Sequence, residues 1–142
     1  MITEDYVSFE TAKLLKEKGF KEYCDKSYSI IDGTLCSNFP TNCILAPTLQ
    51  MAMKWLREIH NVLLVVDYEY ECDTTPYYFK IYRLGENGKP ERVVVNGVLY
   101  DKDNNATEHI VAYRDWERSK GDYSTYEEAC EAAIKYYLEN LI

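Results

Sequence analysis

Apolar residues recur every three or four positions in two long segments, and this spacing gathers them on one side of a helix. In residues 48–60 the apolar stripe comprises Leu49, Ala52, Met53, Leu56 and Ile59, widened by Trp55. In residues 126–141 it comprises Tyr126, Cys130, Ala133, Ile134, Tyr137 and Leu141. Ser124-Thr125-Tyr126-Glu127 opens this second segment with a capping-box pattern. Both segments are therefore predicted to be helices packed on a core.

A third, shorter helix is predicted near the start of the chain. Ser8 is suited to accept a hydrogen bond from a first-turn backbone N–H, and the residues after it are good helix formers. Gly19 can adopt the left-handed conformation that ends a helix, which lets Phe20 fold back on Leu15. The predicted helix therefore spans residues 9–18.

Alternation with a period of two predicts strands in residues 62–71 and 77–84. In the first, Leu64, Val66, Tyr68 and Tyr70 alternate with Asp67, Glu69 and Glu71. In the second, Tyr77, Phe79 and Ile81 alternate with Tyr78, Lys80 and Tyr82. The two buried faces coincide only if paired residue numbers sum to an odd number, because a one-residue slip buries the acids. Tyr70 opposite Phe79 satisfies this condition.

Further hairpins are predicted at Asp32-Gly33 and at Asn96-Gly97, where the backbone can take the positive φ angles of a tight turn. Residues 109–116 also alternate and predict a strand. The remainder of residues 21–46 reads as loop. No regular strand–helix–strand alternation occurs, so the prediction is a single α+β domain, residues 1–142. It has a mainly antiparallel sheet of about four to six strands, with three helices packed on one face.

The net charge of −8 disfavours nucleic acid and anionic membranes as partners, because both are bound mainly through Lys and Arg. Residues 7–15 resemble the first helix of a helix-turn-helix, but no recognition helix follows them. Nucleic-acid binding is therefore kept only as a disfavoured alternative. The acidic start of the chain lacks the apolar segment of a secretion signal, and no apolar run could span a membrane. A cytoplasmic protein is expected.

Asp67, Glu69 and Glu71 form an acidic ladder on the polar face of the first predicted strand. Carboxylates in this arrangement lie about 7 Å apart and suit Mg²⁺ or Ca²⁺. A small metal-dependent enzyme is therefore one alternative. A half-buried strand shows the same alternation without any ligand, and Lys80 on the facing strand could neutralise part of the charge. The solvated strand face is the favoured interpretation.

No catalytic motif supports an enzyme. The chain has five cysteines without a Cys-x-x-Cys pair, which in a cytoplasmic protein indicates reduced thiols. The phosphate-binding, nucleophile-elbow and zinc-protease motifs are also lacking. The sequence therefore predicts no catalytic residue and no cofactor.

Tyrosine is the unusual residue, with 14 in the chain. Tyr78 and Tyr82 are expected to face outward beside the acidic ladder, and Tyr136 lies on the last helix. Tyrosine combines a large contact area with a polar tip and is enriched at protein interfaces. These three residues are the candidate site for binding a partner protein or a second copy of the chain.

Three blocks of sequence carry a resemblance that spans most of the chain. They are residues 4–20, residues 46–58, with Ala-Pro-Thr-Leu followed by Lys-Trp-Leu-Arg-Glu, and residues 126–134. In this order they resemble small proteins of unknown function encoded by phages, prophages and mobile elements of gut anaerobic bacteria. The resemblance implies an origin in such an element. It implies no activity, fold or site residues.

Overall fold

The computed structural model describes residues 1–69, 75–85 and 123–142, and the backbone of strands at 92–95, 99–100, 106–107, 110–113 and 115–118. These residues form three helices and ten short strands, and every strand pairing among them is antiparallel. The α+β class and the antiparallel character predicted from sequence are confirmed.

Helix α1 (Phe9–Glu17) begins at the predicted residue and ends one residue before the predicted end, with Lys18 as the C-cap. The Ser8 side chain accepts a hydrogen bond from the backbone N–H of Thr11 at 3.2 Å. Gly19 has φ of 94°, and the N–H of Phe20 donates to the carbonyl of Leu15 at 2.9 Å. Glycine takes this conformation at no steric cost, so Phe20 can return to the core, where it is buried.

Helix α2 (Leu49–Ile59) is capped by Thr48, whose side chain accepts from the N–H of Met51 at 3.1 Å. The predicted stripe is buried, and so is Trp55, but Ile59 is 59% exposed. Ile59 is the last helical residue, and Asn61 turns the chain into the next strand with φ of 56°. The prediction was wrong at Ile59 because the core ends before the helix does.

Helix α3 (Tyr126–Asn140) is capped by Thr125 rather than by Ser124. The Thr125 hydroxyl accepts from the N–H of Glu128 at 3.1 Å, so the cap lies one residue later than predicted. The buried stripe shifts accordingly. Tyr126 is 38% exposed and Leu141 is only partly buried, whereas Ala129 and Leu138 are buried.

A small sheet follows α1. Strand β1 (Lys26–Ser29) lies between β2 (Leu35–Cys36) and β3 (Cys43–Ala46). The hairpin predicted at Asp32-Gly33 joins β1 and β2, with Tyr28 opposite Leu35. Strand β3 was not predicted, since four residues are too few to show a period.

Strands β4 (Val62–Tyr68) and β5 (Tyr77–Arg83) form the central hairpin, and β10 (Asp115–Arg118) pairs with the other edge of β5. Val66 is opposite Phe79, so paired numbers sum to 145, which confirms the predicted odd sum. The specific pairing of Tyr70 with Phe79 was wrong by four residues. The hairpin closes at Glu69, whose N–H donates to the carbonyl of Pro76 at 2.6 Å.

The remaining strands pair in twos. Strand β6 (Arg92–Val95) pairs with β9 (Ile110–Tyr113), and β7 (Leu99–Tyr100) pairs with β8 (Ala106–Thr107). The hairpin predicted at Asn96-Gly97 would pair β6 with β7 instead, and its turn lies outside the described residues. The sheets among the described residues therefore have three, three, two and two strands.

The core lies between α2, α3 and the inner face of the β4–β5 hairpin. Val62, Leu64, Phe79 and Ile81 point toward the helices and are nearly fully buried. Helix α3 contacts both strands, α2 contacts β4 and α3, and α1 packs on α3 and β3. The fold therefore leaves one side of α3 against α1 and the N-terminal segment.

Candidate functional site

The outer face of the hairpin carries Asp67, Tyr78 and Tyr82, as the alternation predicts. Asp67 is opposite Tyr78, whose hydroxyl donates to Asp67 Oδ2 at 3.3 Å. Asp67 is exposed, but Tyr78 and Tyr82 are half-buried. The two tyrosines therefore offer less accessible surface than the sequence suggests.

The acidic ladder is only partly within the described residues. Asp67 and Glu69 are exposed, and Asp67 Oδ1 accepts from the N–H of Tyr68 at 2.8 Å. Glu71 lies outside the described part of the chain. Within that part, no group of three His, Cys, Asp or Glu side chains is placed to hold a metal ion.

Tyr136 lies on the other side of the sheet from Tyr78 and Tyr82. Its ring packs at 5.9 Å from that of Phe79, a residue of the inner face. Tyr123 stacks on the same Phe79 ring at 6.1 Å. The three predicted interface tyrosines are thus divided between two surfaces, and Tyr136 belongs to the aromatic packing under α3.

Among the described residues, a broad concavity lies between the N-terminal segment and α3. The segment is held by backbone hydrogen bonds to residues just before and at the start of α2. The N–H of Val7 donates to the carbonyl of Pro47 at 3.0 Å, and the N–H of Leu49 donates to that of Asp5 at 2.9 Å. These bonds fix Asp5 and the ring of Tyr6 opposite the exposed side of α3.

The resulting cleft has a volume of about 610 Å³, within the usual range of about 300–1,000 Å³ for ligand sites. Its lining combines apolar and aromatic side chains with carboxylates and one lysine. The lining residues are Asp5, Tyr6, Ser8, Leu49, Tyr123, Glu127, Glu128, Glu131, Ala132 and Lys135. We call this feature the α3 cleft.

One wall of the α3 cleft is held to α1 by Glu131. Its Oε1 accepts hydrogen bonds from the Thr11 hydroxyl at 2.6 Å and from the backbone N–H of Ser8 at 3.1 Å. Thr11 is fully buried. Glu131 Oε2 is also shielded from solvent and accepts no hydrogen bond from the described residues. The carboxylate is thus only partly compensated by its neighbours.

Lys135, the one cation in the lining, is already matched by an acid. Its Nζ lies 2.9 Å from Oε2 of Glu10 on α1. The hydrogen bond and the charge of Glu10 raise the pKa of Lys135, and the same contact lowers the pKa of Glu10. The α3 cleft therefore keeps a negative excess from Asp5, Glu127, Glu128 and Glu131.

Buried thiols show no sign of activation. Burial raises the pKa of both Cys24 and Cys130 to about 11. Such thiols are almost fully protonated at neutral pH and are poor nucleophiles. The four cysteines in the described residues are not joined by disulfides.

Sequence analysis did not identify the α3 cleft. The available signal was the spacing of Glu127, Glu128, Glu131 and Lys135, which puts all four on one side of α3. The opposite wall depends on the bridge between Tyr6 and Thr48, a contact between distant parts of the sequence. Helical periodicity alone cannot reveal such a contact.

Within the described residues, each helix is too short or too polar to cross a bilayer. Comparison of the chain with protein-family models, with curated proteins and with solved structures finds no match.

Proposed function

We propose that this chain is a non-enzymatic accessory protein that binds a partner protein through the α3 cleft. The observation that carries the proposal is the cleft itself: about 610 Å³, with Tyr6, Leu49, Tyr123 and Ala132 among its lining residues. Aromatic and apolar side chains in a concavity are what a protruding side chain of a partner needs for binding.

The geometry favours binding over catalysis. The α3 cleft contains carboxylates and tyrosine hydroxyls but no histidine, cysteine or metal-ligand cluster among its lining residues. The metal-dependent alternative on Asp67, Glu69 and Glu71 gains no support from the described residues.

Affinity capture with matched variants tests the proposal. The tagged chain, its Ala132→Arg variant and its Tyr78→Ala/Tyr82→Ala variant are used as baits in lysate of a gut anaerobic bacterium, and bound proteins are quantified by mass spectrometry. Ala132 is partly exposed on α3, so arginine there fills the cleft without entering the core. We expect a partner retained by the double tyrosine variant and lost with Ala132→Arg.

Loss with the tyrosine variant alone would instead place the interface on the outer hairpin face, as the sequence predicts. If only the chain itself is recovered, the result indicates that it binds a second copy of itself and not another protein. Equal recovery of every protein by all three baits would contradict a protein-binding function at either surface.

We further propose that the chain originates in a phage, prophage or mobile element of a gut anaerobe and acts in the cytoplasm. The support is the three sequence blocks and the acidic composition of the chain, with a net charge of −8. We also propose that the central sheet extends to about four to six strands, with all three helices on one face. The support is that α2 and α3 contact each other and the same hairpin.

A further inference from the structure

We propose that the α3 cleft accepts a lysine or arginine side chain presented by a basic segment of the partner protein. This inference rests on the proposed protein-binding function and adds the chemistry of the partner. It is based on two properties of the cleft: an apolar and aromatic lining, and a rim of carboxylates that the chain leaves largely uncompensated.

The lining suits the stem of a long cationic side chain. Leu49 and Ala132 supply aliphatic surface, and the rings of Tyr6 and Tyr123 supply aromatic surface. Lysine and arginine bury their methylene groups against such surfaces while the charged end stays hydrated. The Tyr6 ring already attracts a cation within the chain, since Lys26 Nζ lies 5.8 Å from its centroid.

The rim supplies charge of the complementary sign. Asp5 comes from the N-terminal segment, whereas Glu127, Glu128 and Glu131 come from α3. Lys135 is held 2.9 Å from Glu10 and also interacts electrostatically with Glu131, so the uncompensated charge is carried by Asp5, Glu127 and Glu128. Stabilisation of the helix N-terminus accounts for acids at Glu127 and Glu128, but it gives no reason for an acid at Asp5 on the facing wall.

The acidic surface continues beyond the cleft toward the start of the chain. A smaller depression shares Asp5, Leu49 and Glu127 with the α3 cleft and adds Glu4 and Tyr126 to the lining. A peptide lying along both depressions would therefore meet carboxylates at successive positions. This arrangement fits a segment with several basic residues better than a single free amine, and it repels nucleic acid.

Fluorescence anisotropy with defined peptides tests the inference. The probe is a labelled decapeptide of alternating lysine and leucine, and its counterpart has glutamate in place of lysine. We expect binding of the lysine peptide alone, weakened by salt. Asp5→Asn/Glu127→Gln/Glu128→Gln should bind on the order of tenfold more weakly, since exposed ion pairs each contribute modestly.

The matched control removes the same charge elsewhere. Glu17→Gln/Glu22→Gln/Glu58→Gln changes three exposed acids that do not line the α3 cleft. We expect this control to retain binding, and Ala132→Arg to abolish it by placing a cation in the cleft. Circular dichroism spectra of all variants should coincide with that of the unmodified chain.

Equal weakening by the two triple variants would overturn the inference, because attraction would then depend on net charge alone. Unchanged binding in the cleft variant would overturn it as well. Self-association of the chain through the cleft, with displacement of the peptide, would also overturn the inference. The occupant of the cleft would then be a second copy of the chain and not a basic partner. If the peptide does not bind, but Ala132→Arg still abolishes capture of a partner protein, the basic character of the partner is refuted. The proposed function then stands.

Discussion

The contact between Thr11 and Glu131 is a sharp test of the structure, because it joins α1 to the cleft wall of α3. The Thr11 hydroxyl is fully buried and donates to Glu131 Oε1 at 2.6 Å. Thr11→Val keeps the shape of the side chain and removes the donor. The backbone N–H of Thr11 still donates to Ser8, so the cap of α1 remains.

The expected loss follows from the chemistry of the pair. A hydrogen bond to a charged group contributes about 1.5–3 kcal/mol. Only the Ser8 N–H would then remain as a donor to Glu131 among the described residues. We therefore expect Thr11→Val to lower the free energy of unfolding by about 2 kcal/mol, equivalent to roughly 4–8 °C in Tm for a chain of this length.

Urea denaturation followed by circular dichroism measures this loss, with Thr34→Val as the matched control. The Thr34 hydroxyl also donates to a carboxylate, that of Asp32, but both residues are exposed. We expect the control to leave the urea midpoint unchanged. In a Glu131→Gln background, Thr11→Val should lose about 1 kcal/mol or less, because the acceptor is then neutral.

If Thr11→Val lowers the free energy of unfolding of the otherwise unmodified chain by less than about 0.5 kcal/mol, this reasoning is refuted. Substitutions of surface residues that make no specific contact have effects of that size. Such a small loss would mean that α1 and α3 do not meet through a charged hydrogen bond. The wall of the α3 cleft would then be placed incorrectly.

Three further predictions concern the core. Phe79 packs between Tyr123 and Tyr136, so Phe79→Ala should cost about 3–5 kcal/mol in urea denaturation and Phe79→Leu less. Burial lowers the pKa of His60 from its ordinary 6.5, so the unfolded chain takes up the proton first as pH falls. Stability should therefore decrease below about pH 6.5 until the lower folded pKa is passed, and His60→Phe should lose this dependence while keeping the ring contact with Trp55. With pKa values of about 11, Cys24 and Cys130 should alkylate slowly at pH 8 in the folded chain and quickly in urea, as peptide mapping by mass spectrometry would show.

Local signals in the sequence predicted the helices well. The two ends of α1 are predicted by the residue types of Ser8, Gly19 and Phe20, and the structure places these residues as expected. The alternation in β4 and β5 also fixed which side chains face the helices, because a wrong parity would bury Asp67. The register was not fixed, since pairings shifted by an even number bury the same faces.

Long-range pairings could not be read from the sequence. Asn96-Gly97 predicts a local turn, which would pair β6 with β7. In the structure, β6 pairs with β9 and β7 pairs with β8. The α3 cleft depends on the same kind of information, because Tyr6 reaches it only through the bridge to Thr48. Sequence analysis therefore missed the cleft and assigned the interface to Tyr78 and Tyr82 on the hairpin and Tyr136 on the last helix.

Site-specific photo-cross-linking tests the central claim, that the α3 cleft is the surface that binds a partner, most directly. A benzophenone amino acid replaces Ala132 in the cleft or Arg57 on the exposed side of α2, and each protein is irradiated in lysate of a gut anaerobe. We predict a discrete cross-linked product with another protein from position 132 and none from position 57. Absence of a product from position 132, or the same products from both positions, would contradict the claim.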